Sequence, residues 1–238
     1  MWLIFLSLSA QAISPDSLMQ RVQEVAPLRP NRLAIDAPKV TEDSYRAAAN
    51  GNVSTGVEKV PGYVAKKVYG VGIVDVSIGR FWAAINDDVG KAEVTRLAFA
   101  EQLMGEPCAE KRRMFQYLSV SMASDRWWVV NQTQNTALHE KSEGRVRELY
   151  WENVDDAQLP TATTQEWSRK GIPVIFTRGA WLLIDLDGES TLVEYYTWAD
   201  PGGYLPAGLA STFAAGTIGN TLETMTGLAK RGPRCPIE

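Results

Sequence analysis

From residue 94 to residue 198 the chain is a succession of strand-like runs, and it closes on one long helical pattern; no other feature restricts its fold as much. The runs are VTRLAFAEQL, RMFQYLSVSM, RWWVVNQTQ, RVRELYWENV, VIFTRGAWLLIDL and TLVEYYTW, and the segments between them (GEPCAEK, ASD, EKSEG, DGES) are rich in turn formers. Two earlier alternating runs, NVSTGVEKV and YVAKKVYGVGIVDV, flank Pro61-Gly62. The intervening SIGRFWAAIND is helical in period, with Ile78, Phe81, Trp82 and Ile85 on one face. A meander cannot bury both its faces alone. The terminal helical pattern, from about Leu205 to Lys230 with Gly232 and Pro233 as stop signals, would extend roughly 37 Å, enough to cross a curved sheet. The pattern therefore predicts a sheet wrapped around a terminal helix.

The seam between the last strand and that helix reads ADPGGYLP, residues 199–206. Asp200 can accept turn N–H bonds, Gly202 and Gly203 permit positive φ, and Pro206 suits a first helical turn. The seam thus reads as a rigid corner that aims the helix back over the sheet. The helix itself is rich in small residues (Ala207, Gly208, Ala210, Ala214, Ala215, Gly216, Gly219, Gly227). Such residues either let backbones approach closely or leave space beneath the helix. The chain has 8 Trp, which suit both cores and pocket walls, so an apolar cavity under the helix is one expectation and a filled core the other.

Ahead of the sheet, Ser14-Pro15-Asp16 starts a helix with apolar residues at Leu18, Val22, Val25 and Leu28, ended by Pro27 and Pro30. Residues 41–49 predict a second short helix capped by Thr41. Residues 1–12, MWLIFLSLSAQA, form a short apolar run with a small-x-small site and resemble a signal peptide, although no Lys or Arg precedes the run. The expected division is a signal-like 1–12, a helical 13–50 and a main domain 51–238. The expected location is periplasmic or secreted, with the cytoplasm as the alternative. Cys108 and Cys235 lie in turn-like settings; export would favour a disulfide, and otherwise they are two thiols.

The segment TLVEYYTWADPGGYLPAGLASTF resembles the C-terminal strand, corner and helix of START domains, the lipid-transfer branch of the helix-grip (Bet v1-like) superfamily. Asp200, Gly203, Leu205 and Pro206 fall on that family's corner pattern. SDRWWVV at 124–130 is similar to its Arg-led strand start, with Trp127 where an acid is usual, and GAWLLIDL fits the strand before the corner strand. The likeness runs from about residue 50 to 230. It implies an α+β helix-grip fold, a curved antiparallel sheet around a long C-terminal helix, and a tunnel holding one lipid or sterol-like molecule without chemistry or cofactor. It implies a monomer with transient membrane contact.

The same resemblance assigns Trp128, Val130 and Gln132 to the tunnel face of their strand, and Phe176 and Arg178 to the wall beyond. Arg178 would need a carboxylate such as Glu148 or Glu194. Tyr150 and Tyr195 complete the sheet side of the expected site, and Phe213, Ala214 and Ile218 the helix side. The arginine-x-x-tryptophan-aspartate segment of phospholipid-binding members is absent, the region reading NDDVGKAEVTR, so a phosphocholine-type headgroup site is not expected.

A formal charge of −4 argues against a nucleic-acid partner. The chain contains no HExxH, CxxC, GxSxG or phosphate-cradling glycine loop. Its one histidine, His139, reads as a surface residue at a strand end. Asp87-Asp88 read as turn formers, and Lys111-Arg112-Arg113 as a solvated loop or edge. A helix-grip enzyme of the aromatase/cyclase or hydrolase type is the alternative function. Its acid–base groups would come from Arg178, Tyr150, Tyr195, Glu148 and Glu194.

Overall fold

The computed structural model describes residues 13–121, 123–155, 157–203 and 217–237. The signal-like segment, Phe213, Ala214 and the start of the terminal helical pattern lie outside these residues. Helix α1 (Pro15–Val25) begins where Ser14 Oγ accepts the Ser17 N–H, and α2 (Glu42–Ala49) where Thr41 Oγ1 accepts that of Ser44. A 3-10 segment, Ala26–Asn31, continues α1 through the two prolines.

Nine strands follow: β1 (Ser54–Glu58), β2 (Lys67–Val74), β3 (Leu97–Met104), β4 (Lys111–Leu118), β5 (Asp125–Gln134), β6 (Val146–Asn153), β7 (Gly171–Pro173), β8 (Phe176–Asp185) and β9 (Thr191–Asp200). They form one curved, open sheet in the order β1-β2-β9-β8-β6-β5-β4-β3, antiparallel throughout, with β7 adding a parallel pairing to the start of β5. Between strands lie α3 (Ile78–Asn86), α4 (Asp88–Val94), α5 (Thr136–Lys141) and α6 (Ala162–Ser168). The terminal helix α7 is described over Ile218–Arg231. The sequence pattern had shown α3 but not α4, whose residues it divided between a turn and the next strand. It had placed His139 at a strand end; the residue lies in α5.

The centre of the sheet is buried on both faces. On the concave face, α3 and α7 pack over β2, β8 and β9 in a core of Phe81, Ile85, Leu183, Val193, Ile218, Leu222, Met225 and Leu228. On the convex face, α1 and α2 bury Leu18, Val22, Val25, Tyr45 and Ala48 against Val71, Leu182, Ile184 and Leu192. Two glycines of β2 allow α7 to approach. A Cβ on Gly70 would sit 2.8 Å from Ile218 Cγ2, and one on Gly72 would sit 3.0 Å from Leu222 Cδ2. By contrast, Gly227 of α7 meets only an Arg231 nitrogen at 3.6 Å among the described residues. The close contact is thus licensed by the sheet's glycines rather than by this one of the helix.

The corner after β9 is held as its composition predicts. Gly202 and Gly203 have φ of 63° and 61°, and Asp200 Oδ1 accepts the Gly202 N–H at 3.0 Å. Its anchor is Arg126 at the start of β5, fully buried, which donates through Nε to the Pro201 carbonyl (2.6 Å) and through Nη2 to that of Gly202 (2.8 Å). At the far end, Cys108 in the β3–β4 loop and Cys235 beyond α7 form a disulfide across a separation of 127 residues.

Candidate ligand-binding site

Backbone register sets the walls of the site. Gln132 of β5 lies opposite Trp151 of β6, Trp151 opposite Gly179 of β8, Gly179 opposite Thr197 of β9, and Thr197 opposite Val68 of β2. A second row runs Leu149, Trp181, Tyr195. These side chains, with Trp128, Val130 and Gln116, face the concave side and enclose a cavity of about 290 Å³, closed by Ile218, Thr221 and Met225 of α7 and by Lys91 and Thr95 of the α4 region. Gly179 has a specific role here. The Trp151 ring lies across its missing side chain, where a Cβ would collide with the indole and with the Tyr196 carbonyl.

The cavity wall is aromatic along β6, β8 and β9. The Tyr195 ring stands 4.2 Å from that of Trp181 and 5.8 Å from that of Trp151. Burial pushes the Tyr195 hydroxyl up to about 12, so it remains a neutral donor and acceptor at physiological pH. The Trp128 indole N–H is satisfied by Gln116 Oε1 at 2.7 Å.

At the β4–β5 side lies a buried polar cluster. Asp88, the first residue of α4, accepts from Arg112 Nε (2.6 Å) and Gln132 Nε2 (2.9 Å) and pairs with Lys91 Nζ (2.7 Å). Arg112 Nη2 also donates to Gln132 Oε1 at 2.8 Å. Burial alone would raise the Asp88 carboxyl, but the charges of Lys91 and Arg112 outweigh it and hold the group below its ordinary value. These residues correct the sequence reading. Arg112 is buried in the interior, not solvated, because its β4 position faces inward opposite Gln132. Asp87 does form a cap, accepting the Gly90 N–H, yet it too is buried.

The structure brings Trp128, Val130, Gln132, Tyr195 and Ile218 to the cavity. Tyr150, Phe176 and Arg178 lie on the opposite, convex face. Tyr150 packs beside Ala34, Ala180 and Tyr196. Phe176 makes edge contacts with Tyr63 and Trp198. Arg178 is 42 % exposed, with its guanidinium over the Trp198 ring. Strand β8 carries Thr177, Gly179 and Trp181 inward, one residue out of phase with the expectation. The expectation followed the family likeness, which set Arg178 on the tunnel wall; at this end of β8 the outward residues Phe176 and Arg178 are only partly covered while Thr177 and Gly179 are buried, and a shift of one residue exchanges the faces.

Glu148 and Glu194 are not partners of Arg178. Glu148 is fully buried and accepts from Arg32 Nε (2.8 Å), the Leu33 N–H (2.7 Å), Asn135 Nδ2 (2.8 Å) and the Ala34 N–H (3.4 Å). Glu194 takes both terminal nitrogens of Arg29, at 3.0 and 2.5 Å, and the Tyr45 hydroxyl at 2.6 Å. Burial works against its ionisation, but the hydrogen bonds and charge of Arg29 keep it below its ordinary value. These groups fasten the N-terminal helices to the outside of the sheet. Among the described residues no cluster of His, Cys, Asp or Glu could hold a metal ion, and no helix is long and apolar enough to cross a membrane.

No protein-family model matches this chain, and no curated protein matches it by sequence. Solved structures do match. Human StAR-related lipid transfer protein 5 aligns with 90 % of this chain and 98 % of its own, at 14 % identity and a TM-score of 0.61. A STAR-related lipid transfer protein from Xanthomonas axonopodis aligns with 75 % of this chain and 93 % of its own, at 19 % identity and a TM-score of 0.59. The lipid transfer and protein localization domain of human StarD13 covers 90 % of this chain and 95 % of its own, at 16 % identity and a TM-score of 0.54. With its open antiparallel sheet and terminal helix, the chain has the START-like, helix-grip fold.

Proposed function

We propose that this protein binds one hydrophobic small molecule, a lipid or sterol-like compound, in the cavity beneath α7, and acts as a monomeric carrier or sensor without catalysis. The observation that carries this reading is the aromatic-walled space of about 290 Å³ between the concave face and the terminal helix. That volume is at the small end of the ligand-pocket range of about 300–1,000 Å³, which favours a single chain or ring system over a two-chain lipid. Of the five side chains considered for acid–base work, Tyr150, Arg178, Glu148 and Glu194 lie on the other face of the sheet, and both carboxylates are engaged by arginines. This favours binding over chemistry. The Cys108–Cys235 disulfide supports a working location in the periplasm or outside the cell, where such bonds persist.

Native mass spectrometry of the gently purified protein, followed by solvent extraction, tests the reading. An extractable apolar adduct is expected. Because Trp128, Trp151 and Trp181 line the cavity, occupancy should also shift tryptophan emission. A protein that carries no adduct and whose emission is unmoved by any apolar probe would overturn the reading.

A further inference from the structure

We propose that the cavity selects an amphipathic monoanion, an apolar body bearing one carboxylate, with the carboxylate seated on Lys91 and the body against Trp151, Trp181 and Tyr195. This rests on the proposed ligand-binding function and names the class of ligand.

Among the described residues Lys91 is the one ionised side chain that lines the cavity; Asp88 and Arg112 stand behind the wall. An ammonium has three donors. Its partner here is Asp88 Oδ1, at 2.7 Å. That carboxylate is shared, since Oδ1 also takes Gln132 Nε2 and Oδ2 takes Arg112 Nε. The Gln132 carbonyl is taken by Arg112. The next carboxylate, Asp87, accepts the Gly90 N–H through Oδ1 and the Arg234 N–H through Oδ2, and lies 3.7 Å from the Arg234 guanidinium, which itself pairs with Glu93 at the surface. The two carboxylates beside Lys91 are thus each shared among several donors, and Lys91 borders the cavity, from which a further acceptor can come.

Two further observations agree. Gln116, also on the wall, has its carbonyl engaged by Trp128 Nε1, so its remaining hydrogen-bonding capacity includes an NH2 donor. Burial lowers the Lys91 ammonium from its ordinary value despite Asp88, the direction expected of a cation short of compensating partners. A carboxylate brought against the Lys91 ammonium would form a charge-assisted hydrogen bond of the stronger kind. A monoanion suits one incompletely compensated ammonium better than a dianion does. The cavity volume again favours a single chain or ring system over a two-chain lipid.

The test uses the full chain with its disulfide intact. Tryptophan quenching is titrated with a chain-length series of linear fatty acids, a fused-ring steroid acid, and the methyl ester of each. The acids are expected to bind roughly 10- to 100-fold more tightly than their esters. In Lys91→Met that preference should vanish while ester binding persists, and Lys91→Arg should restore it. Asp88 keeps Arg112 and Gln132 in Lys91→Met, so the variant should fold, which urea denaturation checks. The linear and fused-ring arms report the shape of the body. Equal binding of acid and ester, or an acid preference that survives Lys91→Met, overturns this proposal and leaves the cavity reading standing. Failure of every acid and ester to bind overturns both.

Discussion

Glu148 offers the sharpest test of how the outer face of the sheet is built. Glu148→Gln replaces one carboxylate oxygen with an NH2 group among four donors: Arg32 Nε, the Leu33 and Ala34 N–H groups, and Asn135 Nδ2. At least one donor then faces another donor, and the Arg32 cation, itself 8 % exposed, loses its nearer buried counter-charge and keeps Glu194 Oε2 at 3.9 Å. Removing one partner of a buried ion pair costs about 3–5 kcal/mol. For a chain of 238 residues, at about 2–4 °C per kcal/mol, Tm should fall by about 6–20 °C. Arg32→Met should cost a similar amount, because it leaves the fully buried Glu148 carboxylate with three neutral donors and no counter-charge. The assay is urea denaturation followed by tryptophan fluorescence, with the slope compared among variants so that a change in midpoint reads as stability. If Glu148→Gln and Arg32→Met each cost under about 1 kcal/mol, then the pair does not organise this contact and the reasoning fails.

Three other outcomes are expected. Cys235→Ser, or reduction, should lower stability by up to about 5 kcal/mol on the chain-entropy account of a loop spanning 127 residues; an unchanged urea midpoint in reductant would contradict it. Gly70→Ala should cost about 1–3 kcal/mol by overpacking against Ile218. Gly227→Ala, which meets little among the described residues, should gain about 0.5–1 kcal/mol. The same denaturation assay would expose the reverse order. Glu194 is held below its ordinary 4.5, so the stability it confers is fully present above that pH and is lost as pH falls through the lower folded value. Tyr45→Phe, which removes one of its hydrogen bonds, should narrow that loss; a pH–stability profile identical to the parent's would count against the assignment.

Much of the architecture was legible because long strand-like runs separated by turn formers recur from β3 to β9, although α5, α6 and the short β7, which lie among them, were not read. The corner was legible because Asp200, Gly202 and Gly203 each carry a conformational requirement that the structure meets. Strand β5 could be read because Gln132 and Arg126 stand among apolar residues and the family likeness fixes its phase. Strand β8 was set one residue out because the family likeness turned Arg178 inward, although a half-exposed arginine is what its alternation with the buried Thr177 and Gly179 allows. Lys91, Asp88 and Arg112 were missed because the three lie on α4 and β4, and only the fold joins them. Trp151 and Trp181 are cavity residues whose signal was present in the register with Tyr195, but strand pairing had to be known before it could be used.

The disulfide has a mechanical consequence. It fixes the segment just beyond Arg231 to the β3–β4 loop, so α7 is tethered at its C-terminal end. Thr217 and Ile218, which border the cavity, lie at the other described end of the helix and are held by packing rather than by a covalent tie. Cutting the tether would therefore leave the C-terminal end of α7 held to the β3–β4 side by noncovalent contacts alone, such as the bond from the Arg234 N–H to Asp87.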